Sequence, residues 1–306
     1  MAKMNVQRAY EDSIHYLQTQ ASVTAEEARV KARLIVDYIT GTRYAHLTHP
    51  ALELEAPQQE KLEQALLEVA QGRPLPYLIG QCEFFGLTFS CDERALIPRP
   101  ETETLVEAAI ERLSQCLKPI VAELGTGTGC IAISIAHALP EPTVYATDVR
   151  ADTLDLARAN AQLNAVTDRI HFIQGKAGQW AEPLINTEHG GTFDALLSNP
   201  PYIATEEITA LQTEIKDWEP REALDGGEDG LDCYRQIAAQ CGGLLAPEGF
   251  LMVELGAGQY PAVQEIFTAA GWLVAEPLRD LAGIERVLLA REQPAAKAAG
   301  REQKAR

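Results

Sequence analysis

The chain has 306 residues, of which 46% are hydrophobic, and a formal net charge of −18, which suits a globular protein with one large domain and a smaller one. It contains no apolar stretch of the roughly 20 residues needed to cross a bilayer and no apolar signal segment near its start, so we expect a cytoplasmic protein with no membrane partner. The six cysteines form no C-x-x-C pair and are not accompanied by a histidine cluster, so no metal site is expected.

Residues 1–75 are predicted to form a small helical bundle. Apolar residues recur there at helical spacing, in Ala28, Ala32, Ile35, Val36 and Ile39 and again in Leu62, Ala65, Leu66 and Val69. Turn-forming residues cluster at Gly72-Arg73-Pro74, which predicts the end of the bundle.

Residues 76–98 are predicted to form a β-hairpin that links two domains, because aromatic residues flank Gly86 on both sides. Pro98-Arg99-Pro100 then precedes Glu101 and Glu103. Proline in the first turn and acids beside it are typical of a helix N-terminus, so a helix is expected to begin here.

Strands and helices alternate over residues 99–292, which predicts an α/β domain with a largely parallel sheet covered by helices on both faces. The predicted strands are Ile120–Leu124, Val144–Thr147, Ile170–Ile173, Phe193–Ser198, Phe250–Leu255, Leu273–Ala275 and Val287–Ala290. The predicted helices are 130–139, 152–163, 231–245 and 261–270. Ligands of such folds bind beyond the carboxyl ends of the strands. Residues 293–306 are expected to be a disordered tail.

A glycine-rich loop, Gly125-Thr126-Gly127-Thr128-Gly129, follows the first strand of this domain. Its glycines permit a tight turn and close approach of a ligand to the backbone, although a plain strand-to-helix turn has the same composition. The spacing is G-x-G-x-G, and Cys130 stands where a dinucleotide fingerprint has its third glycine. The loop therefore favours an adenosyl amino acid over a pyrophosphate cofactor.

Two acids lie near this loop in the predicted sheet. Asp148 ends the next strand, 23 residues after Gly125, where a carboxylate can accept hydrogen bonds from both ribose hydroxyls of a nucleoside. Its alternative role is an N-cap of the helix near Asp152. Glu123 lies inside the first strand and requires a partner if buried. It either organises the cationic methionyl end of the cofactor or forms a structural ion pair.

Asn199-Pro200-Pro201-Tyr202 directly follows the apolar strand Phe193–Ser198. The tetrapeptide is either a rigid turn or a reaction loop. As a reaction loop it offers the Asn199 side-chain oxygen and the stiff Pro200 carbonyl as acceptors for the two N–H groups of a planar nitrogen, and Tyr202 can lie against the flat face of that group. After a glycine-rich loop, the tetrapeptide predicts in-line methyl transfer from S-adenosylmethionine to such a nitrogen.

Several motifs together resemble the HemK/PrmC methyltransferases. They are residues 96–103 (Leu-Ile-Pro-Arg-Pro-Glu-Thr-Glu), 123–133 (Glu-Leu-Gly-Thr-Gly-Thr-Gly-Cys-Ile-Ala-Ile) and 198–203 (Ser-Asn-Pro-Pro-Tyr-Ile). Pro76–Gly80 with Phe84–Gly86, Glu254–Gly256 with Gln259, and Asp280–Gly283 with Arg286 are similar to further family segments. The resemblance is close over about residues 72–290 and extends to 1–71 only in helical character.

The resemblance implies a class I, Rossmann-like S-adenosylmethionine-dependent methyltransferase domain. It implies methylation of the N5 side-chain nitrogen of the glutamine in the Gly-Gly-Gln loop of peptide chain release factors, with S-adenosylhomocysteine as co-product, and docking of the release factor by the helical domain. By the same resemblance the cofactor is bound by Gly125, Thr126, Gly127, Thr128, Gly129, Asp148, Trp180 and Asn199. The glutamine is held by Asn199, Pro200, Pro201 and Tyr202, of which Asn199, Pro200 and Tyr202 carry the catalysis.

One segment departs from the family pattern. The family usually has an acid just before the tryptophan that borders the adenine, whereas this chain has Gln179 before Trp180 in a segment that looks lengthened. The amide oxygen of Gln179 can accept a hydrogen bond from the adenine amino group. Ordinary packing is the alternative role of Trp180.

Two other functions fit parts of the same pattern. A nucleic-acid adenine-N6 methyltransferase uses the same loop, since a flipped adenine also presents a planar amino group. Residues 76–290 carry 13 basic and 32 acidic side chains, however, which disfavours DNA as a partner. A catalytically inactive, translation-associated binding module is the second alternative, although every motif residue that the transfer needs is present.

We expect the protein to be a monomer.

Overall fold

The computed structural model describes residues 4–21, 23–190 and 192–293, so the predicted tail lies outside the described residues except for its first residue. The chain divides into two compact units. The first contains the residues up to Cys82 together with Cys91–Glu93 and Leu211–Glu219. The second contains Glu83–Ser90, Arg94–Ala210 and the chain from Pro220 onward.

The first unit is helical, as predicted. Its helices are α1 (Val6–Gln20), α2 (Ala25–Thr40), α3 (Ala45–Thr48), α4 (Ala56–Ala70) and α5 (Leu75–Ile79). Helix α2 begins with a capping box between Thr24 and Glu27 and ends at Gly41 in the left-handed conformation. The apolar faces recognised in α2 and α4 are buried in one core with α1, and this shared burial holds the bundle together.

Two features of the helical unit differ from the expectation. The predicted linker starts at residue 76, but Leu75–Ile79 forms the short helix α5, which begins with Pro76 in its first turn. Segment Leu211–Glu219, which is distant in sequence, also belongs to this unit. It is held by an ion pair between Lys31 and Glu214. Local sequence patterns contain no signal for such a long-range contact.

The predicted hairpin consists of β1 (Gln81–Phe84) and β2 (Leu87–Ser90). Its turn residues, Phe85 and Gly86, have φ values of 50° and 73°, the left-handed geometry of a two-residue hairpin turn. Within the second unit, Asn160 connects strand β2 to the glycine-rich loop. The Asn160 side chain is fully buried, accepts from Ser90 N at 2.7 Å, and donates to Ser90 O at 3.1 Å and to Thr128 O at 2.9 Å.

The second unit is built on one eight-stranded sheet, whose strands are β3 (Ile120–Leu124), β4 (Thr143–Asp148), β5 (Ile170–Gln174), β6 (Phe193–Ser198), β7 (Leu245–Glu254), β8 (Trp272–Val274), β9 (Leu278–Arg279) and β10 (Glu285–Glu292). The order is β5-β4-β3-β6-β7-β10-β8, with β9 paired to β10. Strands β3 to β7 are parallel, and β10 runs antiparallel to β7. This topology confirms the predicted α/β class and adds β9, which the pattern did not predict.

The helices of this unit are α6 (Glu103–Leu113), α7 (Cys130–Ala138), α8 (Ala151–Leu163), α9 (Glu182–Ile185), α11 (Asp232–Gln240) and α12 (Tyr260–Ala269). Helix α10 (Thr213–Lys216) lies between α9 and α11 in the sequence but belongs to the helical unit. A 3₁₀ turn over Pro100–Thr102 precedes α6, so the helix start predicted near Pro98 lies at these residues. Helix α11 ends five residues before the predicted end at 245, because Leu245 already begins β7.

The chain order of the strands creates a switch point at β3. From β3 the chain adds β4 and β5 on one side, and then crosses to place β6 on the other side. In open α/β sheets the crevice at such a point is the usual place for a ligand. Leu124 pairs with Ser198 in the register of β3 and β6, so the residues that follow them leave the sheet side by side.

Within the part of the chain that the structure describes, no helix combines the length and apolar character that a membrane span requires.

Replacement of Asn160 by alanine is expected to lower the free energy of unfolding by about 2–4 kcal/mol, because it leaves buried backbone groups of Ser90 and Thr128 without their partner. Urea unfolding followed by tryptophan fluorescence measures the change. Asn164→Ala is the matched control: Asn164 donates to Thr88 O and Asn160 O at a less buried position, and we expect a loss of about 1 kcal/mol. Equal losses for the two variants would contradict the anchoring role of Asn160.

Candidate active site

A cavity of about 290 Å³ lies at the carboxyl ends of β3, β4 and β6. It brings together most of the predicted site residues, namely Gly125, Thr126, Gly127, Thr128, Asp148, Trp180, Asn199 and Pro201. Glu123, Thr102 and Gln179 also line it. Gly129, Pro200 and Tyr202, although within the described part of the chain, are not among the lining residues. A second depression, beside β5, contains none of the predicted residues.

The glycine-rich loop turns sharply between β3 and α7. Gly127 has a φ of 54° and nothing within 4 Å of the position where a Cβ would stand, so its backbone is open to a ligand. Gly129 has a different function. A Cβ there would lie 2.9 Å from Ile133 Cδ1 and 3.3 Å from Ala157 Cβ, so this glycine permits close helix packing and does not face the cavity.

Asp148 is held in place by backbone donors. Its Oδ2 accepts from Gly127 N at 3.0 Å, and its Oδ1 accepts from Arg150 N at 3.1 Å. Burial is the main cause that raises the pKa of this carboxyl, while the backbone hydrogen bonds oppose the shift. The alternative role as an N-cap is wrong, because α8 has Arg150 at that position.

The cavity fits the adenosyl amino acid predicted from the sequence. A carboxylate offers about four acceptor sites, and two backbone bonds leave Asp148 able to accept from ribose hydroxyls. The open backbone at Gly127 faces the same cavity. Asp148 thus supplies an acceptor for the ribose, and Gly127 permits the close approach of a nucleoside to the backbone.

Glu123 is a buried carboxyl at the floor of the cavity. Its Oε2 accepts from Thr126 Oγ1 at 2.5 Å and from Ala132 N at 3.0 Å. Burial, with a smaller contribution from nearby Asp148, raises the pKa of Glu123 to about 8 against the lowering effect of both hydrogen bonds. No ion pair of Glu123 is found within the described ranges, so the structural ion pair is not its explanation. A cation bound in the cavity would lower this pKa and favour the ionised form of the carboxyl.

Asn199 leaves the end of β6 and forms a hydrogen bond with a residue that sequence analysis did not assign to the site. Its Nδ2 donates to Thr102 Oγ1 at 3.2 Å, and Thr102 Oγ1 donates to Glu254 Oε2 at 2.6 Å. Thr102 and Glu254 stand in the motif segments 96–103 and 254–256, but a motif does not reveal that they meet. Only the fold brings the 3₁₀ turn, β6 and β7 together here.

Tyr202 is packed behind Asn199 against the core of the second unit. Its carbonyl accepts from Gln259 Nε2 at 2.9 Å, and a Cβ on Gly256 would lie only 3.1 Å from its ring. Burial raises the pKa of Tyr202 to about 12, so the phenol stays protonated at neutral pH. These contacts stiffen the loop that follows Asn199.

Trp180 borders the cavity and also packs. Its Nε1 donates to Gln236 Oε1 at 2.9 Å, and its backbone N donates to Gln240 Oε1 at 2.9 Å, so α11 holds the residue. Its ring lies 3.6 Å from the position of a Cβ on Gly125. Gln179 also lines the cavity.

Comparison with known proteins identifies related sequences over nearly the whole chain. Residues 102–219 match the family model "Methyltransferase small domain", and residues 14–80 match "PrmC N-terminal domain". A release factor glutamine methyltransferase of Moorella thermoacetica is 38% identical over 289 residues, covering 94% of this chain and 98% of that protein. The Bradyrhizobium diazoefficiens protein of the same name is 37% identical, covering 89% and 91%. The similarity therefore includes the helical residues, where sequence analysis found only helical character.

Among solved structures, the catalytic domain of hMettl16 in complex with a 3′UTR hairpin is similar in fold. It has a TM-score of 0.55 and 15% sequence identity, and the match covers 80% of this chain and 85% of that one. At this identity the similarity concerns the fold of the methyltransferase domain alone.

Glu123→Gln is expected to remove a pH dependence of stability in the ligand-free protein. Below pH 4.5 the carboxyl is protonated in both states; between pH 4.5 and about 8 only the unfolded chain releases the proton, so the wild type loses stability as pH rises. We expect the melting temperature of the variant, relative to wild type, to rise by about 3 °C or more between pH 5.5 and 8.5. Glu265→Gln, at an exposed position of α12, is the control and should show no such trend.

Proposed function

The chain belongs to the release factor glutamine methyltransferase family, and from this premise we propose that it methylates the N5 side-chain nitrogen of the glutamine in the Gly-Gly-Gln motif of peptide chain release factors. It is a methyltransferase that uses S-adenosylmethionine, and S-adenosylhomocysteine is the co-product. The observation that carries the proposal is the position of Asn199 beside the glycine-rich loop, in one cavity with Asp148. This arrangement supports the proposal that an amide acceptor lies next to the nucleoside of the cofactor.

In this proposal the glycine-rich loop and Asp148 hold the cofactor. The backbone at Gly127 lets the ligand approach closely, and Asp148 accepts from the ribose hydroxyls. Glu123 becomes ionised when the cation binds and then complements the cationic methionyl end, and Trp180 and Gln179 border the adenine. The bound cofactor supplies an electrophilic methyl group on its sulfonium.

The Asn-Pro-Pro-Tyr loop holds the substrate amide. An amide nitrogen is a poor nucleophile because its lone pair is delocalised. The Asn199 side-chain oxygen and the Pro200 carbonyl accept its two N–H groups and turn its lone pair toward the methyl group. Tyr202 lies against the flat face of the amide, and Pro201 helps to hold the substrate and keeps the loop rigid. The methylated nitrogen loses its proton readily, so the reaction requires no dedicated base.

The partners and location follow from the same proposal. The acidic bias of residues 76–290 supports a protein partner over DNA, and the helical residues 1–75 dock the release factor, linked through residues 76–98 to the catalytic residues 99–292. The enzyme acts as a monomer in the cytoplasm, where release factors function, without a membrane partner.

The decisive experiment is a transfer assay with tritiated S-adenosylmethionine, in which purified release factors and duplex DNA are offered separately. We expect label in the release factor, and mass spectrometry should place it on the peptide that contains Gly-Gly-Gln. A release factor with that glutamine changed to alanine should stay unlabelled. Label in DNA would indicate an adenine methyltransferase instead, and cofactor binding without product would indicate an inactive binding module.

Asn199→Ala is expected to lower kcat by about 10³-fold, because it removes one preorganised acceptor for the substrate amide. The chain should remain folded, as judged by circular dichroism. Asn186→Ala is the matched control, since it makes the same deletion at an exposed position outside the cavity. Undiminished turnover of Asn199→Ala would contradict the proposed role of this residue.

Asp148→Asn is expected to weaken S-adenosylmethionine binding by about 10–100-fold, because a charge-assisted acceptor for the ribose is lost. The size of the side chain is unchanged, and its remaining oxygen still accepts from a backbone N–H. Isothermal titration calorimetry with S-adenosylhomocysteine measures the effect without turnover. An unchanged Kd would place the ribose elsewhere.

A further inference from the structure

A chain of hydrogen bonds connects Asn199 to Thr102, which also lines the cavity, and then to Glu254, which is not among the lining residues. Asn199 Nδ2 donates to Thr102 Oγ1 at 3.2 Å, and Thr102 Oγ1 donates to Glu254 Oε2 at 2.6 Å. Thr102 is 2% exposed and Glu254 is 1% exposed, so water does not compete for these bonds. The three residues come from three elements, namely the 3₁₀ turn before α6, the loop after β6 and the end of β7.

The chemistry of the two inner residues fixes the direction of the bonds. An ionised carboxylate can only accept, so the single hydroxyl hydrogen of Thr102 points to Glu254. The Thr102 oxygen then has only lone pairs left for Asn199. Only the amino end of the Asn199 amide can donate to it.

The orientation of this amide decides what the cavity offers to a substrate. The two ends of an asparagine amide are nearly equal in size, so packing alone does not distinguish them, and hydrogen bonding does. With Nδ2 bound to Thr102, the oxygen Oδ1 is free to accept. A reversed amide would present its own NH₂ to the substrate NH₂, and no hydrogen bond would form.

We infer that Thr102 and Glu254 are positioning residues that keep Asn199 with its oxygen toward the substrate amide. Glu254 accepts the hydroxyl hydrogen of Thr102. The Thr102 oxygen can then only accept, and it accepts from Asn199 Nδ2. The inference rests on the proposed function, since it assumes that Asn199 accepts from the substrate nitrogen.

The charge state of Glu254 is therefore important. Burial raises the pKa of Glu254 to about 7, against the lowering effects of the Thr102 hydrogen bond and of nearby arginines. The charged and titratable groups around it lie on the 3₁₀ turn, the loop after β6, α11 and β10, and they are Arg99, Glu101, Tyr202, Tyr234 and Arg286. A protonated Glu254 can donate to Thr102, whose hydroxyl is then free to turn toward Asn199 Oδ1.

The kinetic test compares Thr102→Val, Thr102→Ser and Glu254→Gln at pH 8 with the release factor as substrate. We expect Thr102→Val to lower kcat about 10–100-fold, with the Kd for S-adenosylhomocysteine within about twofold of wild type. Thr102→Ser keeps the hydroxyl and should retain kcat within about threefold. Thr187→Val, a control outside the cavity, should leave kcat unchanged. A folded Thr102→Val enzyme with wild-type kcat would overturn the inference.

The pH profile adds a measurement that needs no change at Thr102. The wild-type kcat should fall as pH drops through about 7, because protonated Glu254 no longer fixes the direction in which the Thr102 hydroxyl donates. In Glu254→Gln this dependence should disappear, with a lower kcat at pH 8. An unchanged acid limb in Glu254→Gln would overturn the role of Glu254.

A readout without turnover separates this inference from the proposed function. The Asn199 side-chain amide resonance, assigned by its absence in Asn199→Ala, should shift in [¹⁵N]asparagine-labelled Thr102→Val and should titrate near pH 7 only when Glu254 is present. If the wild type fails to methylate release factors but these shifts occur, the proposed function fails and the positioning stands. If transfer occurs but the Asn199 amide resonance is unchanged in the Thr102 and Glu254 variants, the positioning inference is wrong and the proposed function stands.

Discussion

The parallel pairing of β3 with β6 is the contact on which the site depends. Leu124 stands opposite Ser198 in this register, and the Ser198 hydroxyl donates to Leu124 O at 2.7 Å in the core. Both strands end at this pair, so Gly125 and Asn199 leave the sheet side by side. The glycine-rich loop and the Asn-Pro-Pro-Tyr loop, which we propose to bind the cofactor and the substrate amide, therefore begin next to each other. A slip of one residue would turn the strand side chains to the opposite face.

Three acids lie near this point, and each of them has different hydrogen-bond partners. Asp148 is oriented by backbone N–H groups and keeps free acceptor sites for a ligand. Glu123 is buried with a hydroxyl and one N–H as partners, and burial raises its pKa to about 8. Glu254 bonds to Thr102 behind Asn199. The low polarity of the site makes each charge depend on its partner, so ligand binding, stability and pH are coupled here.

Asn160 couples the hairpin to the same site. Its side chain binds both backbone groups of Ser90 and the carbonyl of Thr128, so one buried amide joins β2 to the glycine-rich loop.

In the helical unit, segment Leu211–Glu219 returns to a bundle formed from the start of the chain. This segment lies between the Asn-Pro-Pro-Tyr loop and β7. In the sequence, the Asn-Pro-Pro-Tyr loop is therefore followed closely by residues of the helical unit.

The sequence by itself determined the α/β class, the main strands of the sheet, the helical character of the first residues and the residues of both loops. These features have local causes, since hydrophobic periodicity, glycine in tight turns and proline after a strand act over a few neighbouring residues. Only the tertiary structure decided that Thr102 and Glu254 meet Asn199, that Gly129 serves helix packing, and that residues 211–219 join the helical unit. Such contacts join residues that are close only after folding, and burial, which sets the pKa of Glu123 and Glu254, exists only in the packed chain.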